Sequence, residues 1–197
     1  MTSQFALACL LLMMLPCRVV AESTLAVLEF ELNDLTLLPR GEEELQRTAA
    51  LQPMLEEALN VTDSVRIIRI DPAAVRDADA AFGYLFEHSE EAARLGAAHG
   101  ADWVLVGRLH KPSFLFAYLM ARLVDTQTGN VAEDLLVEVK GQQQVVTRKG
   151  IERLASKIAA RLEAPKTDTS APPANAPDNE TRSLPRWPVR PSNQVRP

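Results

Sequence analysis

The polar residues with the most chemical potential lie in one stretch, "DWVLVGRLHKPSFLFAYLMARLVD", residues 102–125, where Arg108, His110, Lys111 and Ser113 sit between two apolar runs. Asn33, Asp34 and Asp71 each follow a segment with strand character. If those strands run parallel, their carboxyl ends gather acids and bases where open α/β sheets place ligands. Asp34, Asp71, Arg108, His110 and Lys111 are therefore the candidate lining of a ligand or partner cleft, and the residue types suit a small-ligand-binding or hydrolytic site. The alternative is architectural: acids that cap helices, and a knot that is the wet end of a hairpin. Pro112 lacks a backbone N–H and pushes Lys111 toward an extended conformation, so "HKPS" makes a good strand-to-strand connector. The turn reading is the expected one.

Other chemistry finds little support. His88, His99 and His110 form neither H-x₃-H nor H-E-x-x-H, so no metal site and no cofactor is expected. No G-x-S-x-G, phosphate-binding loop or G-x-G-x-x-G occurs. The acid runs Glu42–Glu44, Glu56-Glu57 and Glu90-Glu91 fall at helix starts or on helix faces and read as solvated surface. Phe82, Tyr84 and Phe86 read as core or as a lid over a sheet, with an aromatic ligand or partner surface as the alternative. No catalytic residue is assigned.

The elements that must position these residues follow from periodicity. Residues 24–32 are a strand, and residues 42–59 a helix with an apolar stripe at Leu45, Ala49, Leu51, Leu55 and Leu59, kinked or split by Pro53. Residues 64–71 are a strand, and Asp71-Pro72 supplies an N-cap and first-turn proline for a short helix. A further helix opens with Ser89 as N-cap and stops at Gly100. Strands "ADWVLVGRL" and "FLFAYLMARLVD" flank "HKPS". In "NVAEDLLVEVKG", Val131, Glu133, Leu135, Val137 and Val139 alternate with Ala132, Asp134, Leu136, Glu138 and Lys140, as a half-exposed antiparallel strand requires. Residues 147–163 form a helix with Ile151, Leu154, Ala155, Ile158 and Leu162 on one stripe. The expected fold is α/β: three parallel strands with helical crossovers, then an antiparallel meander, covered by helices.

The ends differ from this middle. Residues 1–21 carry an apolar run, Pro16 and a "VVA" site, and read as a cleaved secretory signal, although no Lys or Arg precedes the run. Cys9 and Cys17 both lie within it, and Pro16 before Cys17 argues against a lipoprotein signal. The mature chain then has no cysteine and needs an ordinary hydrophobic core, which favours a bacterial periplasm and makes the sequons at Asn60 and Asn179 chance matches. Residues 22–163 form a single domain with 15 Lys and Arg against 23 Asp and Glu, a charge of −8 that disfavours nucleic acid as a partner. Residues 164–197 are Pro-, Ala- and Asn-rich and expected to be disordered. Arg182, Arg186, Trp187 and Arg190 are the candidate tail contacts, for an acidic partner or an anionic membrane surface. Deleting residues 165–197 is expected to leave the thermal midpoint nearly unchanged, because no core residue lies there; a large drop on thermal denaturation would contradict this.

Four pieces, "TLAVLEF", "VRIIRID", "GADWVLVGRL" and "LMARLVDTQTGNV", carry a resemblance. They resemble bacterial envelope domains of the TolB amino-terminal type, shared with the curli secretion-channel protein and with lipoprotein activators of penicillin-binding proteins. "GADWVLVGRLHKPSFLFAYLMARLVD" is similar to a family of predicted secreted bacterial proteins of unknown function. The resemblance covers most of residues 24–163. It implies a mixed α/β sandwich that binds an envelope protein partner without catalysis, and a link to periplasmic quinoprotein dehydrogenase systems.

Overall fold

The chain divides into two units, Met1–Ala164 and Pro165–Pro197. The computed structural model describes residues 23–36, 41–61, 65–141 and 144–164, all in the first unit. Residues 1–21, expected to be a signal segment, and the tail residues Arg182, Arg186, Trp187 and Arg190 lie outside the described residues.

β1 (Thr24–Val27) and β2 (Glu31–Asp34) are two halves of one interrupted strand, both parallel to β4 (Trp103–Lys111). The offset to β4 changes by one residue between them, since Leu25 faces Trp103 whereas Glu31 faces Arg108. The single strand expected over residues 24–32 is thus broken by a bulge, which turns Phe30 over β4. Gly107 makes room for it: a Cβ there would lie 2.5 Å from the Phe30 ring. β3 (Arg66–Ile68) lies parallel on the other side of β1 and is shorter than expected. β5 (Phe116–Asp125) and β6 (Val131–Lys140) complete an antiparallel meander, giving the order β3-β1-β4-β5-β6 with β2 beside β4. The sheet is mixed, as the sequence predicts.

Helices cover it unevenly. α1 (Glu42–Ala49) and α2 (Leu51–Asn60) are the two pieces of the helix that Pro53 divides. The break falls at Ala50, because the residue at 53 has no N–H to return to the preceding turn. With α6 (Gln144–Glu163) they close one face: Leu51, Leu55 and Leu59 from α2 and Ile151, Leu154 and Ile158 from α6 are fully buried against Leu105, Leu119 and Leu123. α3 (Pro72–Ala78), α4 (Tyr84–Glu87) and α5 (Ser89–Ala98) close the other face over β3, β1, β4 and the carboxyl half of β5, through Leu85, Phe86, Ala92 and Leu95 on Ala26, Val104 and Val106. His88, not Ser89, occupies the N-cap of α5; the Ser89 hydroxyl donates instead to the Gly129 carbonyl at 2.9 Å. α5 presses so close to β4 that a Cβ on Gly96 would meet Val104 Cγ2 at 2.0 Å.

β4 runs two residues further than the sequence suggests and β5 starts two later, so Pro112–Leu115 connects them. The Ser113 hydroxyl accepts from the N–H groups of Leu115 and Phe116, both at 3.3 Å. The hairpin reading of "HKPS" therefore holds, but Arg108 and His110 belong to the strand and not to the turn.

Candidate functional site

Side chains alternate across a strand, and this separates the candidate residues. Arg108 and His110 project from β4 on the face carrying α4. Lys111, one residue on, projects into the face closed by α1 and α6. Asp34 on β2 lies opposite Lys111 and shares its side. Asp71 is on neither: it caps α3, its Oδ1 accepting the Ala73 N–H at 2.7 Å. The five residues do not line one cleft. The structure brings Asp34 to Lys111, keeps Arg108 beside His110, and leaves Asp71 to its own helix.

Lys111 is at the centre of a buried ionic network. Its Nζ stands 3.2 Å from Glu44 Oε1 and 3.6 Å from Asp34 Oδ2, with only 6% of its side chain exposed. Arg47 bonds the same Glu44 oxygen at 3.3 Å and donates to Thr147 Oγ1 at 3.0 Å and to the Gly141 carbonyl at 3.4 Å. β2, β4, α1 and α6 are tied together at this end of the sheet. Burial alone would raise the Asp34 pKa, but hydrogen bonds from the Thr36 hydroxyl and N–H, at 2.7 and 2.9 Å, and the Lys111 charge bring it below its ordinary value of 3.8.

Arg108 is held as firmly, on the other face. Its Nε and Nη2 both bond Glu31 Oε2, at 3.1 and 3.0 Å, and Nη1 reaches Glu87 at 3.5 Å. The guanidinium lies 4.2 Å from the Phe86 ring centroid and 5.5 Å from that of Phe82. Arg122 approaches Phe86 from β5, 4.6 Å from its centroid, donating to the Phe86 carbonyl at 2.6 Å and to Asp134 at 3.0 Å. Two arginines thus clamp α4 to the sheet. Gly83 (φ +82°) gives its N–H to Glu31 at 2.6 Å, and a Cβ there would sit 2.8 Å from Arg108 Nη2. Tyr84 and Phe86 lie in the short helix and Phe82 in the turn before it, not in an extended run, with Phe86 in the core and Phe82 exposed.

His110 faces the partly covered strip of the sheet. Asn33 Nδ2 donates to its Nδ1 at 3.2 Å, written for the tautomer protonated on Nε2. Asn33, Arg108, His110, Tyr118, Met120 and Leu136 line a shallow depression of about 350 Å³. Sequence reasoning missed Tyr118, Met120 and Leu136, although strict alternation along β5 and β6 places them together. Leu136 is 53% exposed, and the hairpin tip adds Phe114, Leu115 and Phe116, all exposed. The carboxyl ends of β1 and β3 enclose a cavity of about 110 Å³ lined by Leu28, Glu29, Gln52, Ile70 and Arg76, well below the several hundred Å³ usual for ligand pockets.

The motif residues behind the resemblance are architectural. In "GADWVLVG", Asp102 Oδ2 accepts the N–H and hydroxyl of Thr24 at 2.9 and 2.8 Å, fixing the first strand. In "DTQTG", Asp125 Oδ1 accepts the N–H of Gln127 at 2.8 Å, Thr126 donates to the Ala101 carbonyl at 2.7 Å, and Gly129 takes φ +73°.

These features define a mixed α/β fold with one strip of its sheet only partly covered and no side chain of the strand-end set left unengaged. The chain belongs to the DUF3280 family, described as a protein of unknown function (DUF2380), whose model matches residues 23–158. No curated protein matches the chain. Among solved structures it is similar to the PelC dodecamer from Paraburkholderia phytofirmans (15% identity, 74% of this chain and 90% of that one, TM-score 0.47). It is similar also to the LpoB C-terminal domain from Escherichia coli (18%, 62% and 86%, TM-score 0.43). TolB from Acinetobacter baumannii is a third (17%, 72% of this chain but 28% of that one, TM-score 0.46). A family of unknown function is what the sequence resemblance named, and TolB, whose amino-terminal type it also named, is among the structures the chain is similar to.

Proposed function

We propose that this protein is a non-catalytic accessory protein of the bacterial envelope, exported to the periplasm, that binds a protein partner through the partly covered strip of β4, β5 and β6. One observation carries the reading. The helices on the α4 side reach β4 and the carboxyl half of β5, leaving Tyr118, Met120 and Leu136 only partly covered, with exposed Phe116 at the end of the strip and the exposed Phe114-Leu115 tip beyond it, where the Phe114 ring lies 5.9 Å from Lys111 Nζ. Contiguous exposed apolar surface of this kind marks interaction sites. The absence of catalysis is supported by Arg108, Lys111, Asp34 and Asp71, whose polar atoms are taken up by ion pairs and caps. Among the described residues no helix is long and apolar enough to cross a membrane. A periplasmic quinoprotein dehydrogenase system is the partner pathway we propose, and the tail arginines Arg182, Arg186 and Arg190 with Trp187 are a second, weaker contact with an acidic partner or anionic membrane surface.

The test is a triple variant, Phe114→Ser, Leu115→Ser, Leu136→Ser, compared with the natural chain in pull-downs from envelope extract. All three side chains are exposed, so the thermal midpoint should stay within a few degrees. The reproducibly captured protein should be lost. Retention of that protein, or no reproducible capture by the natural chain, would count against the reading.

A further inference from the structure

The sheet ends at β6, and the outer edge of that strand carries an arrangement outside the apolar strip. Lys149, Arg153, Lys157 and Arg161 recur every fourth residue along α6, which runs antiparallel to β6 beneath its edge. Arg153 Nη2 donates to the Glu138 carbonyl at 2.9 Å, and Lys157 Nζ donates to the Leu136 carbonyl at 3.2 Å. Arg161 Nε stands 3.9 Å from the Glu133 carboxylate. Four helical residues advance about 6 Å and two strand residues about 6.8 Å, so successive cations meet every second residue of the strand. Leu136 and Glu138 face Met120 and Tyr118, two residues apart on β5, so their backbone groups point the same way, outward from the sheet. Among the described residues no carboxylate lies within ion-pair distance of Lys149, Arg153 or Lys157; the exposed Glu138 carboxylate pairs with Lys140 at 3.7 Å. Among the described residues, Lys149, Arg153 and Lys157 therefore lie without counter-charges along a hydrogen-bonding edge that no other strand pairs, in register with an extended chain.

We propose that this edge receives an extended segment of the partner protein, added as a strand beside β6 and bearing carboxylates at alternate positions. The inference rests on the partner-binding reading above and specifies the chemistry of the partner. On the α6 side, the incoming carboxylates take over Arg153 and Lys157, and the released carbonyls of Glu138 and Leu136 accept N–H groups from the new strand. On the opposite side the strand lies beside Asp134, Leu136, Glu138 and Lys140, so its intervening residues are apolar or basic and extend the partly covered apolar strip. Self-pairing of β6 centred on Leu136 sets Asp134 against Glu138 twice, an unfavourable like-charge contact, whereas centred on Val137 it sets Asp134 against Lys140, so self-association of the natural chain in sedimentation, without peptide binding, also overturns the inference.

The experiment uses the full chain and a synthetic peptide the length of β6, ten residues, alternating Glu with Val and Lys. Its controls are a peptide of the same composition with clustered acids, and one with Lys in place of every Glu. Fluorescence anisotropy should show binding of the alternating acidic peptide alone, weakening as salt rises. The Leu136 and Glu138 amides should become protected from hydrogen exchange. Arg153→Ala with Lys157→Ala should weaken binding by about tenfold or more. Absence of binding to the natural chain, or equal binding of the clustered peptide, overturns the inference. So does a double variant that self-associates in sedimentation while the natural chain ignores all peptides, because the cations then only keep the edge closed. If the peptide fails while the Phe114, Leu115 and Leu136 variant still loses its envelope partner, the proposed function stands and this inference alone falls.

Discussion

Lys111→Ala is expected to destabilise the fold by about 3–5 kcal/mol, measured by urea denaturation at neutral pH. The side chain is almost fully buried between Glu44 and Asp34, themselves 9% and 4% exposed. Removing the ammonium leaves two carboxylates facing each other's charge with only Arg47 and Thr36 to answer them. Glu44 Oε2 is already buried with no hydrogen-bond partner among the described residues, so the site has no spare donor. The same change at Lys140, whose side chain is 71% exposed, should fall within about 0.5 kcal/mol. A Lys111 loss as small as that would mean water reaches the network. The acid limb follows from Asp34. Its folded pKa lies below the ordinary 3.8, so its contribution is complete above the unfolded value and disappears as pH falls through the folded one. Acid unfolding that draws on Asp34 should therefore fall below about pH 3.8, and Asp34→Asn should flatten stability there.

Much of this arrangement was legible in the sequence, and the misses have identifiable causes. The period-two alternation sets both faces of β6 correctly from Glu133 onward because one face must be buried, but a bulge at the start of the strand, where Leu123 faces Glu133 and Val124 faces Val131, turns Ala132 to the core side instead. The i, i+3, i+4 stripe of α6 does the same for its packed side. The bulge at residues 28–30 was not legible, since "TLAVLEFEL" is apolar enough to continue as one strand; only the tertiary contact of Phe30 on Gly107 reveals the extra residue. The candidate cleft failed for a related reason. Arg108, His110 and Lys111 look like one cluster in the linear sequence, but once β4 extends through residue 111 the period of two sends Lys111 through the sheet, away from the other two. Their partners Glu31, Glu44 and Phe86 come from three other elements, which no local pattern names.

Arg108→Ala is expected to cost about 2–4 kcal/mol, combining its charged hydrogen bonds to Glu31 with its contact on Phe86. The guanidinium is 12% exposed, so solvent screening is slight. The loss should be local as well as global. α4 has only four residues and no side-chain cap, and the two arginines with buried Leu85 and Phe86 hold it down. Hydrogen exchange at the amides of Glu87 and His88, which bond back to Gly83 and Tyr84, should accelerate more than exchange in β5. Arg108→Lys keeps the charge but neither the double bond to Glu31 nor a flat surface for Phe86, and should recover less than half of the loss. Gly83→Ala should mimic the effect from the other side, since it needs φ +82° and sets a Cβ 2.8 Å from the guanidinium. The clamp and a binding role for Arg108 separate cleanly. A clamp predicts that stability and α4 protection fall together in all three variants. If Arg108→Ala leaves both unchanged and abolishes capture of the envelope partner, Arg108 belongs to the interface, and the depression it shares with His110 and Tyr118 is where that partner docks.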